Sequence, residues 1–394
     1  MKNGPTDTVA DWLLCQAREL ASSREVVGEL CRRLVDDGMV LHRLFVSART
    51  LHPLMAAIGL HWSRRDNFVK AMPRDYSIFE QDIYLNSPVR LIHGGAQEVR
   101  RRVGPTGTPQ EFPVLEDLAK EGATEYLALP MRFSGGRINA VSIATDATHG
   151  FAPGDVERFK SLVPLLGLVL EIKETRHMAA TLLDTYLGRD AGRRVLSGLI
   201  KRGDGVTIAA ALWYCDLRGF TGMTEHMPRD AVITMLNDYF GCMVEAVRNQ
   251  GGDVLKFIGD AMLAIFPIAD DLDRDRACLT ALAAAEEALA SLEKLNSARR
   301  AAGQPVLGVG IALHTGAVMY GNIGGPDRLD FTVIGPAVNL VTRLEQMCAE
   351  LGRPLLASAR FASPCGSRLV PVGRSRLRGI AAEQEIFGLP NEPH

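Results

Sequence analysis

Ile208-Ala209-Ala210-Ala211-Leu212-Trp213-Tyr214-Cys215-Asp216 is followed, after a helical stretch, by Val254-Leu255-Lys256-Phe257-Ile258-Gly259-Asp260-Ala261-Met262-Leu263-Ala264-Ile265-Phe266. The first run is apolar until its last residue, as a buried strand is, and it delivers Asp216 to its tip. The second run reads as two strands, 254–258 and 261–266, with Gly259 and Asp260 in the turn between them. Two carboxylates at strand ends can face one cation pair. Hard oxygen ligands of this kind suit Mg2+ or Mn2+, ions that sit where a nucleoside triphosphate supplies the remaining oxygens.

The rest of the composition bounds the partners. At 394 residues and 47% hydrophobic, the chain is longer than one core usually serves, so two domains are expected. The net charge of −2, with Lys and Arg spread among acids, argues against a nucleic-acid partner. Seven cysteines without a Cys-x-x-Cys pair suggest neither a zinc site nor a disulfide framework, and a reducing cytoplasm fits them. The start of the chain lacks the basic and apolar pattern of a signal peptide. The longest apolar segment, 162–170, is too short and proline-broken for a membrane span.

In the first half, a helix near 26–35 and strands near 40–46 and 53–61 precede a polar, Gly-rich stretch. Strands at 125–133 and 136–145, around a Ser134-Gly135-Gly136 turn, and an amphipathic helix from Pro153 to about Arg176 complete a sheet with helices packed on it. Tyr126-Leu127-Ala128-Leu129-Pro130, the segment 137–176 and Gly150-Phe151-Ala152-Pro153-Gly154-Asp155 within it resemble the end of a GAF sensory domain. The Asn-Lys-Phe-Asp-Glu set of cyclic-nucleotide-binding GAF domains has no counterpart. Residues 1–175 are therefore expected to be a GAF-like regulatory domain. An unknown small-molecule or protein signal and a packing or dimerisation role both stay open for it.

A helical linker is expected over 176–205. Met178, Leu182, Leu183, Tyr186, Leu187, Val195, Leu196 and Leu199 keep a helical spacing, interrupted at Gly188-Arg189-Asp190, where Asp190 can cap a second helix. Such a helix either pairs with its copy to pass a signal or lies on its own domain.

From residue 206 the order is strand, helix (230–249), strand, strand, helix (273–301), strand (306–314), which is ferredoxin-like. Beyond the two aspartates come Gly308-Val309-Gly310-Ile311-Ala312-Leu313-His314-Thr315-Gly316, Gly321-Asn322-Ile323-Gly324, Asp330-Phe331-Thr332-Val333-Ile334-Gly335 and Val338-Asn339-Leu340-Val341-Thr342-Arg343-Leu344-Glu345. In this order and spacing, residues 206–389 resemble the catalytic domain of class III adenylyl cyclases. The fold class expected is α/β (α+β): a ferredoxin-like class III cyclase domain preceded by a GAF-like sensory domain.

The resemblance implies roles. Asp216 and Asp260 fall on the metal-binding aspartates, with two Mg2+ or Mn2+ ions per site, and the reaction implied turns ATP into 3′,5′-cyclic AMP and pyrophosphate. Lys256 falls on the purine-contacting position. An ammonium donates to adenine N1 but meets a donor on guanine, which favours ATP. Its partner position is Thr332, where many members carry Asp. Asn339 and Arg343, four apart on one helix face, fall on the pair that orients the ribose and stabilises the α-phosphate. Arg378, in Leu377-Arg378-Gly379, falls where the family binds the terminal phosphates, with Arg374 and Arg376 close by. Members share each site between two subunits, which implies a homodimer.

The alternatives are a guanylate cyclase, against which Lys256 argues, and a catalytically silent nucleotide-binding or dimerisation protein, which usually goes with a lost Asp, Asn or Arg. Gly251-Gly252-Asp253-Val254-Leu255 superficially resembles the hairpin of diguanylate cyclases but lacks the Glu and Phe. Trp213, Tyr214 and Cys215 read as strand packing, and His314 as a structural hydrogen bond.

Overall fold

Strand and helix periodicities lay out two compact units, Met1–Leu182 and Leu183–His394. The computed structural model describes residues 8–50, 55–225, 227–380 and 382–390. In the first unit, helices α1 (Thr8–Cys15) and α2 (Ser23–Asp36) precede strands β1 (Arg43–Arg49), β2 (Ala57–Ser63) and β3 (Val69–Arg74). Then come α3 (Asp82–Leu85), α4 (Pro88–His93), β4 (Val99–Arg102), α5 (Pro113–Lys120), β5 (Glu125–Arg132), β6 (Ile138–Thr145) and α6 (Pro153–Leu187), whose residues after Leu182 fall in the second unit. The six strands form an antiparallel sheet in the order β3-β2-β1-β6-β5-β4.

Ser22 caps α2 by accepting from the Glu25 N–H, and the helix buries Val26, Leu30 and Leu34 on one stripe. These meet Phe159, Leu162 and Leu166 of α6 in one core, while Ile92, Phe112, Leu115 and Tyr126 build a separate cluster. The stretch read as polar and Gly-rich holds β3, β4 and three helices. Those elements are short, and β3 and β4 bury few of their side chains, so periodicity gave no sign of them. Helix α6 also runs past Arg176 to Leu187 with Pro164 inside it. No described helix is long and apolar enough to cross a membrane.

The second unit contains α7 (Arg189–Leu196), β7 (Gly205–Arg218), α8 (Phe220–Thr224), α9 (Arg229–Asn249), β8 (Asp253–Ile258), β9 (Ala261–Ile268) and α10 (Asp271–Ala301). It continues with β10 (Gly308–Gly324), β11 (Leu329–Ile334), α11 (Pro336–Glu350), β12 (Leu355–Ser358), α12 (Ala359–Ala362), β13 (Val370–Ser375) and β14 (Gln384–Gly388). The sheet order is β13-β14-β12-β10-β7-β9-β8, with β11 paired to β10. Its centre, β10-β7-β9-β8, is antiparallel throughout, the ferredoxin-like order expected from the sequence.

Side chains alternate along β7, and this alternation decides what each face meets. Ala211, Trp213, Cys215 and Leu217 pack with Met235, Tyr239, Met243 of α9 and Cys278, Ala281, Leu282 of α10. Ala210, Leu212 and Tyr214 pack with Val341, Leu344 and Cys348 of α11 on the other face. Asp216 belongs to this second set.

Three sequence expectations change. Strand β10 is 17 residues long and continues beyond His314 to Gly324, because its far half pairs with both β7 and β11. Asp216 lies inside β7, two residues short of its end, rather than at the tip. Asp190 does not cap α7. Gly188, at φ +88°, occupies that position, and a Cβ there would meet the Val254 carbonyl at 2.8 Å. The cap comes from across the unit, where the Asp253 carboxylate accepts the Asp190 N–H at 3.1 Å. Asp253→Ala is expected to cost roughly 1 kcal/mol in denaturant unfolding, and Asp253→Asn, which keeps an acceptor and sheds a carboxyl that burial holds above its ordinary range, little or nothing. Equal losses would count against the cap.

Candidate active site

The turn between β8 and β9 needs a residue at positive φ, and Gly259, at φ +64°, supplies it. The following Asp260 is thereby turned toward the end of β7, close enough to Asp216 to act on its ionisation. Burial first, and the Asp260 charge second, push the Asp216 carboxyl up to about 6. One Asp216 oxygen, Oδ1, is buried without a hydrogen-bond partner. A pair of carboxylates that resists double ionisation and leaves an oxygen unpartnered fits a divalent cation, which would relieve both costs. Mg2+ typically takes one or two carboxylates and fills its remaining positions with water and phosphate oxygens, so Asp216 and Asp260 are a sufficient donor set. Among the described residues there is no group of three or more His, Cys, Asp or Glu arranged to hold a metal.

A third acid lies close by. Glu345 of α11 is buried, and burial, then the charge of Asp216, pushes it up to about 7, against the pull of Arg218. It sits over Gly310, the residue opposite Asp216 in the β7–β10 register, where a Cβ would run into its Oε1. Sequence reasoning assigned Glu345 no role. The signal was present: it follows Val341 by four residues and Leu344 by one, so it falls on the apolar face of α11.

Asn339 and Arg343 are on α11 as expected, but on its outer face. Asn339 is exposed and Arg343 half-buried, with its guanidinium 3.4 Å from Gln346 Oε1. At about 100° per residue they lie roughly 40° apart, while Arg343 and Glu345 lie roughly 200° apart. One chain therefore turns these two side chains away from the side that meets its own aspartates.

Lys256 of β8 and Asp330 of β11 form an ion pair, Nζ to Oδ2, at 2.5 Å. Thr332, two residues along β11, is buried. Arg378 is exposed on the turn after β13, while Arg374 approaches Glu385 at 3.9 Å. The structure thus joins Asp216 to Asp260 and brings Lys256 to the strand of Thr332. His314 is buried and bonded through Nδ1 to Ser358 at 2.7 Å, and burial pulls it down to about 4, a structural role as read from the sequence. Cys215 is fully buried beside the Tyr239 hydroxyl at 3.2 Å, and burial pushes its thiol up to about 12.

Residues 202–379 match the family model described as the adenylate and guanylate cyclase catalytic domain. Adenylate cyclase 1 of Rhizobium meliloti is 33% identical over 178 residues, which are 44% of this chain and 26% of that protein. An adenylate cyclase of Anabaena cylindrica is 38% identical over 161 residues, 40% of this chain and 31% of that one. The chain spans less than a third of the length of these two relatives. The crystal structure of an adenylyl cyclase from P. aeruginosa aligns with 48% of this chain and 97% of that one, at 23% identity and a TM-score of 0.43.

Proposed function

We propose, for a chain whose residues 202–379 belong to the adenylate and guanylate cyclase catalytic-domain family, that it converts ATP into 3′,5′-cyclic AMP and pyrophosphate. The observation that carries this reading is the Asp216–Asp260 pair, half-buried, with Asp260 opposing the ionisation of Asp216 and one Asp216 oxygen unpartnered. Asp216 and Asp260 would hold two Mg2+ or Mn2+ ions, which when bound would neutralise the triphosphate and make the ribose 3′-hydroxyl more acidic. In the reaction the 3′-oxygen bonds to the α-phosphorus, the bond from that phosphorus to the bridging oxygen breaks, and pyrophosphate leaves as the hydroxyl proton passes to water. Lys256 donates to adenine N1, with Thr332 facing the exocyclic amine. Asn339 holds the ribose, Arg343 the α-phosphate and Arg378 the terminal phosphates.

The outward face of α11 supports a shared site. Asn339 and Arg343 point away from the acids of their own chain, so a second copy completes each site and the active species is a homodimer.

Residues 1–175 form the regulatory domain in this reading, 176–205 the helical linker and 206–389 the catalytic domain. A cavity of about 530 Å³ in the first unit, among Phe45, Met72, Ile78, Tyr84, His93 and Tyr126, supports a small-molecule signal there. At its wall the His93 Nδ1 lies 3.2 Å from the Tyr84 hydroxyl.

The test is incubation of the full chain with ATP or GTP and each cation, with products identified by chromatography and mass. Cyclic AMP is expected, with ATP preferred over GTP by roughly 10²-fold in kcat/KM. Cyclic GMP as the main product would replace the reading with its guanylate counterpart, and no product from either would leave a nucleotide-binding or dimerisation protein.

A further inference from the structure

We propose that Asp330 is a positioning residue for purine selection, holding the Lys256 ammonium where the adenine edge arrives. This deepens the ATP reading above and rests on it. Lys256 and Asp330 lie 74 residues apart in sequence, and in sheet order β9, β7 and β10 intervene between β8 and β11. Their 2.5 Å contact is therefore made by the folded sheet and not by neighbouring chain.

On β11 the side chains of Asp330 and Thr332 share one face, because residues two apart on a strand do. Phe331 and Val333 take the other face, where Phe331 packs edge-on against Tyr320. The face that carries Thr332, the position with no charge, thus carries a carboxylate two residues earlier. A lysine ammonium has three N–H donors on a flexible four-carbon stem. One donor engaged by Asp330 leaves two for a purine and removes most of the freedom of the stem. The side chains are 31% and 55% exposed, so the pair contributes little to folding, and its effect belongs to nucleotide binding.

Three consequences follow from this geometry. Without Asp330 the ammonium must be ordered by the substrate itself, which weakens binding while the reacting atoms are unchanged. Discrimination between adenine and guanine depends on where that ammonium sits, so it falls as well. An effect exerted only through Lys256 disappears once Lys256 is gone.

The experiment uses the full chain with Mn2+. It measures the Kd of a fluorescent ATP analogue, and kcat and KM for ATP and GTP, in the parent, Asp330→Asn, Asp330→Glu, Lys256→Met and the double variant Asp330→Asn/Lys256→Met. Expected are a rise of about tenfold in the analogue Kd and in KM for ATP in Asp330→Asn, kcat within about twofold and a reduced ATP-to-GTP ratio. Asp330→Glu should recover most of the loss, the double variant should match Lys256→Met alone, and the unfolding temperature should stay put.

Unchanged Kd and unchanged ATP-to-GTP ratio in Asp330→Asn overturn the proposal, as do losses that simply add in the double variant. A parent chain that binds the analogue but makes no cyclic nucleotide overturns the cyclase reading alone, since the binding arms still decide on Asp330. A parent chain that binds no nucleotide overturns both.

Discussion

Asp216→Asn is expected to lower cyclic AMP formation by 10³-fold or more, about 4 kcal/mol of transition-state stabilisation. The amide keeps the size and shape of the side chain but removes the charge and one anionic donor oxygen. The same substitution should make the cation-free protein more stable. In the folded chain the Asp216 carboxyl lies at about 6, above its ordinary 3.8, because burial and Asp260 oppose its ionisation. A carboxyl raised in this way costs stability at any pH above its folded value, where both the folded and unfolded forms are ionised. At pH 8 the neutral amide removes that cost, a gain of roughly 1 kcal/mol after allowing for water that reaches the half-buried group. Thermal unfolding separates the two effects. Adding Mn2+ should raise the parent's unfolding temperature and leave that of the variant nearly unmoved. A variant that keeps its cation-dependent shift would remove Asp216 from the cation site.

Mixing Asp260→Ala with Arg343→Ala should restore activity that neither variant has alone. If chains pair at random, half of the dimers are mixed. Each mixed dimer has one site in which an intact aspartate pair faces an intact Arg343, and one site lacking both. About a quarter of the parent activity is therefore expected from equal amounts of the two chains. The physical reason lies on α11, where the roughly 200° between Arg343 and Glu345 sets the outer side chain against the face that meets the chain's own acids. Recovery should grow with the time allowed for subunit exchange. A proven mixed dimer without activity would put both residue sets back in one chain and count against the shared site.

Both results depend on residues that are legible in the sequence alone. The apolar run into Asp216, the Gly259-Asp260 turn and the helix carrying Asn339 and Arg343 are local patterns, and each appears in the structure as an element close to its expected bounds. The order of those elements fits one ferredoxin-like arrangement, and the sheet has it. Where an element's limits depend on partners far along the chain, the local pattern fell short. Strand β10 extends to Gly324 because β7 and β11 continue to pair with it, and α7 is capped by Asp253 rather than by its own Asp190.

The sequence by itself determined the kinds of elements, their succession and the identity of the acids, because side-chain periodicity and turn chemistry act over a few residues. Only the tertiary structure decided how closely Asp260 acts on Asp216, that Glu345 lies over Gly310 beside them, and that Lys256 is engaged by Asp330. Those contacts join residues tens of positions apart. Local spacing puts Glu345 on the apolar face of α11, but the sheet register that sets it over Gly310 and joins the other pairs leaves no trace there.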